Sequence, residues 1–131
     1  MPLKSHSFKI KVSEKEIDEL NHVNNMHYLK YMENAAKIHW NKLSDRAVNK
    51  KYVWVVLRHE IDYLFSAKLN DELVVTTWIG ESYGVKSERY VEIKKDGRTI
   101  LKSKTIWCLL TKKIMRPVRI PPEILKLLEV K

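Results

Sequence analysis

The sequence predicts an α+β fold in which a long central helix is wrapped by a curved, five-stranded antiparallel sheet, and three observations predict it. Apolar residues recur at every second position near the start, change to spacings of three and four between Asn25 and Leu43, and return to alternation afterwards. The later alternating segments are joined by short connections, so consecutive strands must run antiparallel, since a parallel return needs about a dozen residues or more. A single amphipathic helix beside five strands hides its apolar stripe only if the sheet curls around it.

In SFKIKVS, Phe8, Ile10 and Val12 alternate with Lys9 and Lys11, which reads as a half-buried first strand. The next stretch, EKEIDELNHVNN, follows neither period and reads as an ordered loop. Asn24 or Asn25 suits the cap of the helix behind it, because a short side-chain oxygen takes up a free amide of the first turn. From Asn25 to about Leu43, Tyr28, Leu29, Met32, Ala35, Ala36, His39, Trp40 and Leu43 make one broad apolar stripe. Ala35 and Ala36 are small enough to let the helix backbone approach the sheet. Glu33 stands four residues before Lys37, the favourable order for an ion pair along a helix.

Four strands follow. In YVWVVLRHEIDYLF, Val53, Val55, Leu57, His59, Ile61 and Tyr63 alternate against Trp54, Val56, Arg58, Glu60 and Asp62. LVVTTWIG, VKSERYVEI and TILKSKTIWCLLT come next, and Asp96-Gly97 ahead of the last is a strong hairpin signal. PPEILKLLE, opened by proline, reads as a short closing helix. No Ser/Gly-rich linker or repeat divides the chain, so residues 1–131 are expected to form a single domain. The outer face of the sheet is expected to carry Trp54, Trp78 or Trp107 with branched residues, a sticky surface that predicts a homo-oligomer.

The formal charge of +9 favours anionic partners, or serves solubility alone. No basic recognition helix or nucleic-acid motif accompanies it, so nucleic acid is not the expected partner. The lone cysteine, Cys108, excludes an intramolecular disulfide and a Cys-rich metal cluster, and it fits a reducing, cytoplasmic compartment. The charged N-terminal stretch lacks the apolar core of a secretory signal, and no apolar run is long enough to span a membrane. His22 and His27 are five apart and not a one-face pair, and His39 and His59 lack partners at ligand spacing; no metal or cofactor is expected. There is no Gly-x-Ser-x-Gly elbow for serine-hydrolase chemistry.

The segment IDELNHVNNMHYLKYMENA carries an aspartate, three residues, His-Val-Asn-Asn, a tyrosine and then a glutamate on the helix. With IDYLFSAKLNDELVV and RPVRIPPEI, it resembles the 4-hydroxybenzoyl-coenzyme A thioesterase-like branch of the hotdog superfamily over nearly the whole chain. Plant acyl-carrier-protein thioesterases are similar in the same Asp-x-x-x-His-Val-Asn-Asn run. The resemblance implies a cytoplasmic acyl-CoA thioesterase, with an acyl carrier protein as the alternative donor and a non-catalytic acyl-binding hotdog protein as another. It also implies a homodimer or homotetramer with active sites at the subunit interface. The family's catalytic carboxylate falls on Asp18, and its oxyanion-binding backbone amide on Asn25, seven residues later. Where relatives have glycine before the histidine this chain has Asn21, which keeps the same loop path only in a left-handed conformation.

Thioester hydrolysis needs a nucleophile or base, a seat for negative charge on the carbonyl oxygen, and water. Asp18 supplies the first by direct attack or by activating water, and the sequence leaves both open. A helix start at Asn25 supplies the second through unpaired amides and the positive end of the dipole. His22 is expected to donate to the substrate or to hold the loop. Asn24, Tyr28 and Glu33 are expected near the substrate, Asn24 doubling as a cap and Glu33 positioning water. Arg58, Lys86, Arg89, Lys102, Lys104 and Arg116 are candidate partners for the phosphates of coenzyme A.

Overall fold

The computed structural model describes residues 5–129. Its long strands are β1 (Ser5–Lys11), β2 (Tyr52–Tyr63), β3 (Glu72–Tyr83), β4 (Lys86–Lys95) and β5 (Arg98–Thr111). They form one antiparallel sheet in the order β1-β3-β4-β5-β2, and a two-residue β6 (Arg116–Pro117) adds to β5. The helices are α1 (Asn25–Leu43), α2 (Arg46–Lys51) and α3 (Pro122–Leu128). The sheet curls around α1 in the hotdog arrangement, as the sequence predicts.

Register shifts at Val56/Arg58, Ile79/Ser82 and Ile93/Lys94 bend the strands, each irregularity adding local twist and helping the sheet close over the helix. The hairpin between β4 and β5 turns at Asp96 and Gly97, with φ of 50° and 78°, the doubly left-handed pair that a two-residue turn requires. Gly80 lies where a Cβ would come 2.5 Å from the Tyr90 ring, so the backbone there admits no side chain without displacing that ring.

The helix buries Tyr28, Tyr31, Met32, Ala35, Ala36 and His39 against the concave face. One apolar cluster joins Met32 and Ala35 to Leu73, Val75, Val91, Ile93, Ile100 and Leu101. A second, at the far end, joins Ile79 and Leu109 to Val48 of α2 and to Ile120, Ile124 and Leu128 at the closing helix. The helix α2 falls outside the sequence expectation, which reads this region as the approach to β2. Asp45 makes it, its Oδ1 accepting from the Val48 amide at 2.9 Å and so turning Val48 into the core.

The bulge in β2 also corrects the predicted alternation. His59, Ile61 and Tyr63 lie opposite Thr105, Ser103 and Leu101 on the concave side, but beyond the bulge Val56 and Trp54 take that side and Val53 and Val55 face out. Trp54 therefore packs edge-on against Trp40, with centroids 5.7 Å apart, and Trp107 sits opposite Val56 and Ser87 inside the curl. Only Trp78 of the three stands on the convex face, stacked on Tyr90. That face is a charge ladder, including Lys104–Glu88 at 3.5 Å, Lys94–Glu92 at 3.7 Å and Arg58–Glu60 at 2.7 Å. Beside these charges the convex face carries Trp78, Tyr90 and the outward-facing Val53 and Val55, so one of the three named tryptophans and branched residues stand there as the sequence predicts. The sheet also leaves open the outer edges of β1 and β2, the two ends of the strand order.

Ala35 is fully buried in the cluster that joins helix and sheet. Ala35→Leu is expected to lower unfolding stability by about 1–3 kcal/mol through overpacking, whereas Asn34→Leu on the exposed side stays within about 0.5 kcal/mol; urea unfolding followed by circular dichroism measures both.

Candidate active site

Residues 17 to 25 form a closed turn ahead of α1. The chain crosses itself at an isolated bridge between Ile17 and Val23, and the Asn24 amide donates to the Glu16 carbonyl at 2.9 Å. Between these ties, the Asp18 amide donates to the His22 carbonyl at 2.8 Å and the Asn21 amide to the Asp18 carbonyl at 3.0 Å. Asn21 has φ of 61°, so it adopts the left-handed conformation that the glycine of relatives would favour, and the path of the loop is kept.

The Asp18 side chain is exposed and only half engaged. Its Oδ1 accepts from the amides of Leu20 at 2.9 Å and His22 at 3.3 Å, while Oδ2 meets no partner among the described residues. One oxygen orients the carboxylate and the other points free. Asn24 caps the helix, its Oδ1 accepting from the Met26 amide at 2.9 Å. The amide of Asn25, the first helical residue, donates to no group among the described residues, as expected for an N-terminal amide of a nineteen-residue helix. Carboxylate and unpaired amide thus belong to one small, cross-tied unit. His22 is half-buried and contributes its backbone to that unit.

The turn is docked on the Ser66–Asp71 segment. His22 bridges Lys68, and the Val23 amide donates to the Ala67 carbonyl at 2.9 Å. Tyr28 is buried, and its hydroxyl accepts from the Ala67 amide at 3.0 Å, clamping helix to segment. Burial raises its pKa above the usual tyrosine value. Asp71 closes the segment by accepting from the Lys68 amide at 2.7 Å and pairing with Lys95 at 2.9 Å. Burial would raise the Asp71 carboxyl, but these partners prevail and hold it below the usual aspartate range.

Lys68 opens onto a cleft of about 490 Å³ lined by Phe65, Ser66, Lys95, Asp96, Arg98 and Ile100, with the Arg98 guanidinium 3.4 Å from the centre of the Phe65 ring. This basic cleft beside the turn escapes sequence reasoning, because it needs both the β4–β5 register, which sets Lys95 opposite Arg98, and the β2–β5 pairing, which brings Phe65 beside Ile100. The candidates named from sequence lie elsewhere: Arg58 and Lys104 are spent on convex-face ion pairs, and Arg89 is buried.

Glu33 does not pair with Lys37. Its Oε2 lies 3.8 Å from Nε2 of His59, whose Nδ1 is 2.7 Å from the Thr105 hydroxyl, so the helix glutamate faces β2. On the same concave side, a cavity of about 300 Å³ opens among Ala36, Trp40, Tyr52, Trp54, Ser87, Arg89 and Trp107. Among the described residues, no cluster of three or more His, Cys, Asp or Glu side chains is placed to hold a metal, and no helix is long and apolar enough to cross a membrane.

Solved structures with this architecture include the thioesterase of Thermus thermophilus complexed with coenzyme A and Zn, 25% identical with a TM-score of 0.83 over 94% of this chain and 96% of that one. YbaW of Escherichia coli, described as a probable thioesterase, is 25% identical with a TM-score of 0.82 over 94% and 96%. The 12:0-ACP thioesterase of Umbellularia californica is 18% identical with a TM-score of 0.81 over 92% of this chain and 48% of that one. No curated protein matches at the level of sequence. Fold and relatives define the class, a thioester hydrolase of the hotdog type. A family model of the acyl-ACP thioesterase N-terminal domain matches residues 4–128, and the chain belongs to that family.

The left-handed Asn21 sets the turn. Asn21→Gly is expected to leave melting temperature and turnover close to those of the parent, whereas Asn21→Val lowers stability by about 1–2 kcal/mol and lowers turnover with it; thermal unfolding and thiol release on the same preparations check both.

Proposed function

We propose that this enzyme hydrolyses an acyl thioester of a phosphopantetheine thiol carried by an acyl carrier protein, with Asp18 as the catalytic carboxylate and the Asn25 amide as oxyanion donor. The observation that carries this reading is the half-pinned Asp18 carboxylate in the same cross-tied turn as the unpaired Asn25 amide. Oδ2 either attacks the thioester carbon, giving an anhydride that water then opens, or takes a proton from the attacking water. Each route expels the thiolate, which leaves readily because a thiol is far more acidic than an alcohol. As the carbonyl oxygen gains charge, the Asn25 amide and the helix dipole meet it without reorganisation.

The remaining residues have supporting roles in this reading. Asn24 fixes the first turn, Tyr28 holds the substrate-side segment against the helix, His22 faces the acyl group from the turn, and Glu33 orders water through His59. Lys68 and Arg98 receive the phosphate of the pantetheine arm. The family match and the +9 charge favour an acidic carrier protein as donor. A second reading, a coenzyme A thioester as in the 4-hydroxybenzoyl branch, is favoured by the Thermus relative, which has coenzyme A bound and matches this chain in length. In either case a homodimer or homotetramer in the cytoplasm completes the site at the subunit interface, using the open β2 edge.

Thiol release from acyl carrier protein and coenzyme A thioesters of matched acyl groups decides the donor. Carrier-protein turnover is expected to fall steeply between about 50 and 500 mM salt as its charges are screened, and coenzyme A turnover much less. Asp18→Asn is expected to reduce release by about 100-fold or more on the preferred donor; equal release by both proteins overturns the assignment. Lys68→Ala with Arg98→Ala is expected to raise KM with little change in kcat, the mark of lost binding that is uniform along the reaction.

A further inference from the structure

Arg89 enters the concave side of β4 and is 7% exposed. Among the described residues it makes two hydrogen bonds, both through Nη1, to Nδ1 of His39 at 2.9 Å and to the Thr77 hydroxyl at 3.0 Å. No carboxylate lies within ion-pair distance of it among the described residues. Its burial lowers its pKa to about 10, so it stays cationic at neutral pH. A buried charge without a counter-ion costs several kcal/mol in ordinary circumstances. Here Arg89 lines the 300 Å³ cavity, and its two hydrogen bonds engage Nη1 alone of the guanidinium's donor nitrogens.

The rest of the cavity wall has the same polarity. Trp40, Tyr52, Trp54 and Trp107 give it aromatic faces, and Lys37 and Lys112, both exposed, stand at its rim. No aspartate or glutamate lines it among the described residues. The indole Nε1 of Trp107 is buried with no hydrogen-bond partner among the described residues. Ala36 and Trp40 are eleven and fifteen residues beyond Asn25, so at ~1.5 Å per residue the cavity lies about 16–22 Å along α1 from the Asp18 turn. Its volume holds roughly ten non-hydrogen atoms at the ~30 Å³ that each occupies in liquid water.

We propose that this cavity is a carboxylate-binding site, taking an organic acid with a medium-length alkyl or single-ring aromatic body, its carboxylate on Arg89 and its body between the tryptophans. A carboxylate offers the planar pair of acceptors that a guanidinium fork matches, and it supplies the counter-ion that Arg89 lacks among the described residues. The cavity lies away from the Asp18 turn, and its occupancy is read by binding alone. Two sources present the same group: a free acid, or the far end of an acyl chain that carries a second carboxylate.

Because three of the four tryptophans line the cavity, intrinsic fluorescence reports its occupancy. Titration of the whole protein with octanoate and with octanamide, which match in size and differ in charge, is expected to show the acid binding at least tenfold tighter at neutral pH. Phenylacetate and its amide are expected to show the same order. Arg89→Met is expected to abolish the preference and Arg89→Lys to keep part of it. Equal binding of acid and amide to the parent protein overturns the proposal whether or not the methionine variant folds, and so does a preference that survives in a folded Arg89→Met. Competitive inhibition of turnover by octanoate assigns the site to the far end of the acyl chain, and binding without inhibition assigns it to a free acid; both outcomes uphold the site.

Discussion

A nineteen-residue helix with an apolar stripe can be hidden by one sheet only if that sheet bends nearly into a trough, and almost every other feature here follows from that bending. Ala35 and Ala36 let the helix lie close, and three register shifts give the strands the extra twist that the trough requires. The curl turns the aromatic side chains of β2 and β5 inward and leaves the convex face to ion pairs, Trp78, Tyr90 and branched residues. It also keeps the sheet from closing on itself, so β1 and β2 remain as edges. The helix start emerges at one end of the trough, and the cavity opens further along it.

The two ends are chemically different because their polar groups are satisfied differently. At the helix start, backbone amides hold one oxygen of Asp18 and leave the other exposed, while the Asn25 amide is left over by the geometry of any helix terminus. The turn is rigid because it is tied to itself and, through Val23 and Tyr28, to the segment before β3. Toward the far end the polar group is Arg89, held from one side by His39 and Thr77 and open on the other to an aromatic wall. An exposed carboxylate at one end and a buried cation at the other thus give the trough two chemically different polar groups.

Much of this was legible in the sequence where local physics decides. The change of period at Asn25 gives the helix to its first residue, the Asp96-Gly97 pair gives the hairpin, and Asn21 is one of few residues that tolerate the conformation it adopts. The candidate site residues are close together in sequence, so their turn could be anticipated from the motif. What escaped depends on register. The bulge in β2 moved Trp54 from the outside to the inside, and no periodicity reveals a bulge in advance. Glu33 faces His59 instead of Lys37 because the neighbouring strand offered a partner that helix spacing does not include. The basic cleft joins side chains about thirty residues apart, and the burial of Arg89 depends on which face of β4 meets the helix. Asp45 had the chemistry of a cap, but so short a helix after it leaves no apolar period to stand out.

The strand order also dictates a history of assembly. β3, β4 and β5 are joined by tight turns and pair with their neighbours in sequence, whereas β1 pairs with a strand more than sixty residues later and β2 with one roughly forty to sixty residues later. Contacts between distant residues carry the larger loop-closure cost, so the meander from Glu72 to Thr111 is the part able to form on its own account. During synthesis the first strand and the helix leave the ribosome well before the surface that will cover them exists. The turn before the helix inherits this delay: its anchor residues, Ala67 and Lys68, are fixed only once β3 has been laid beside β1. The amino-terminal half of the chain therefore waits, with its apolar stripe uncovered, for the carboxyl-terminal half to be made.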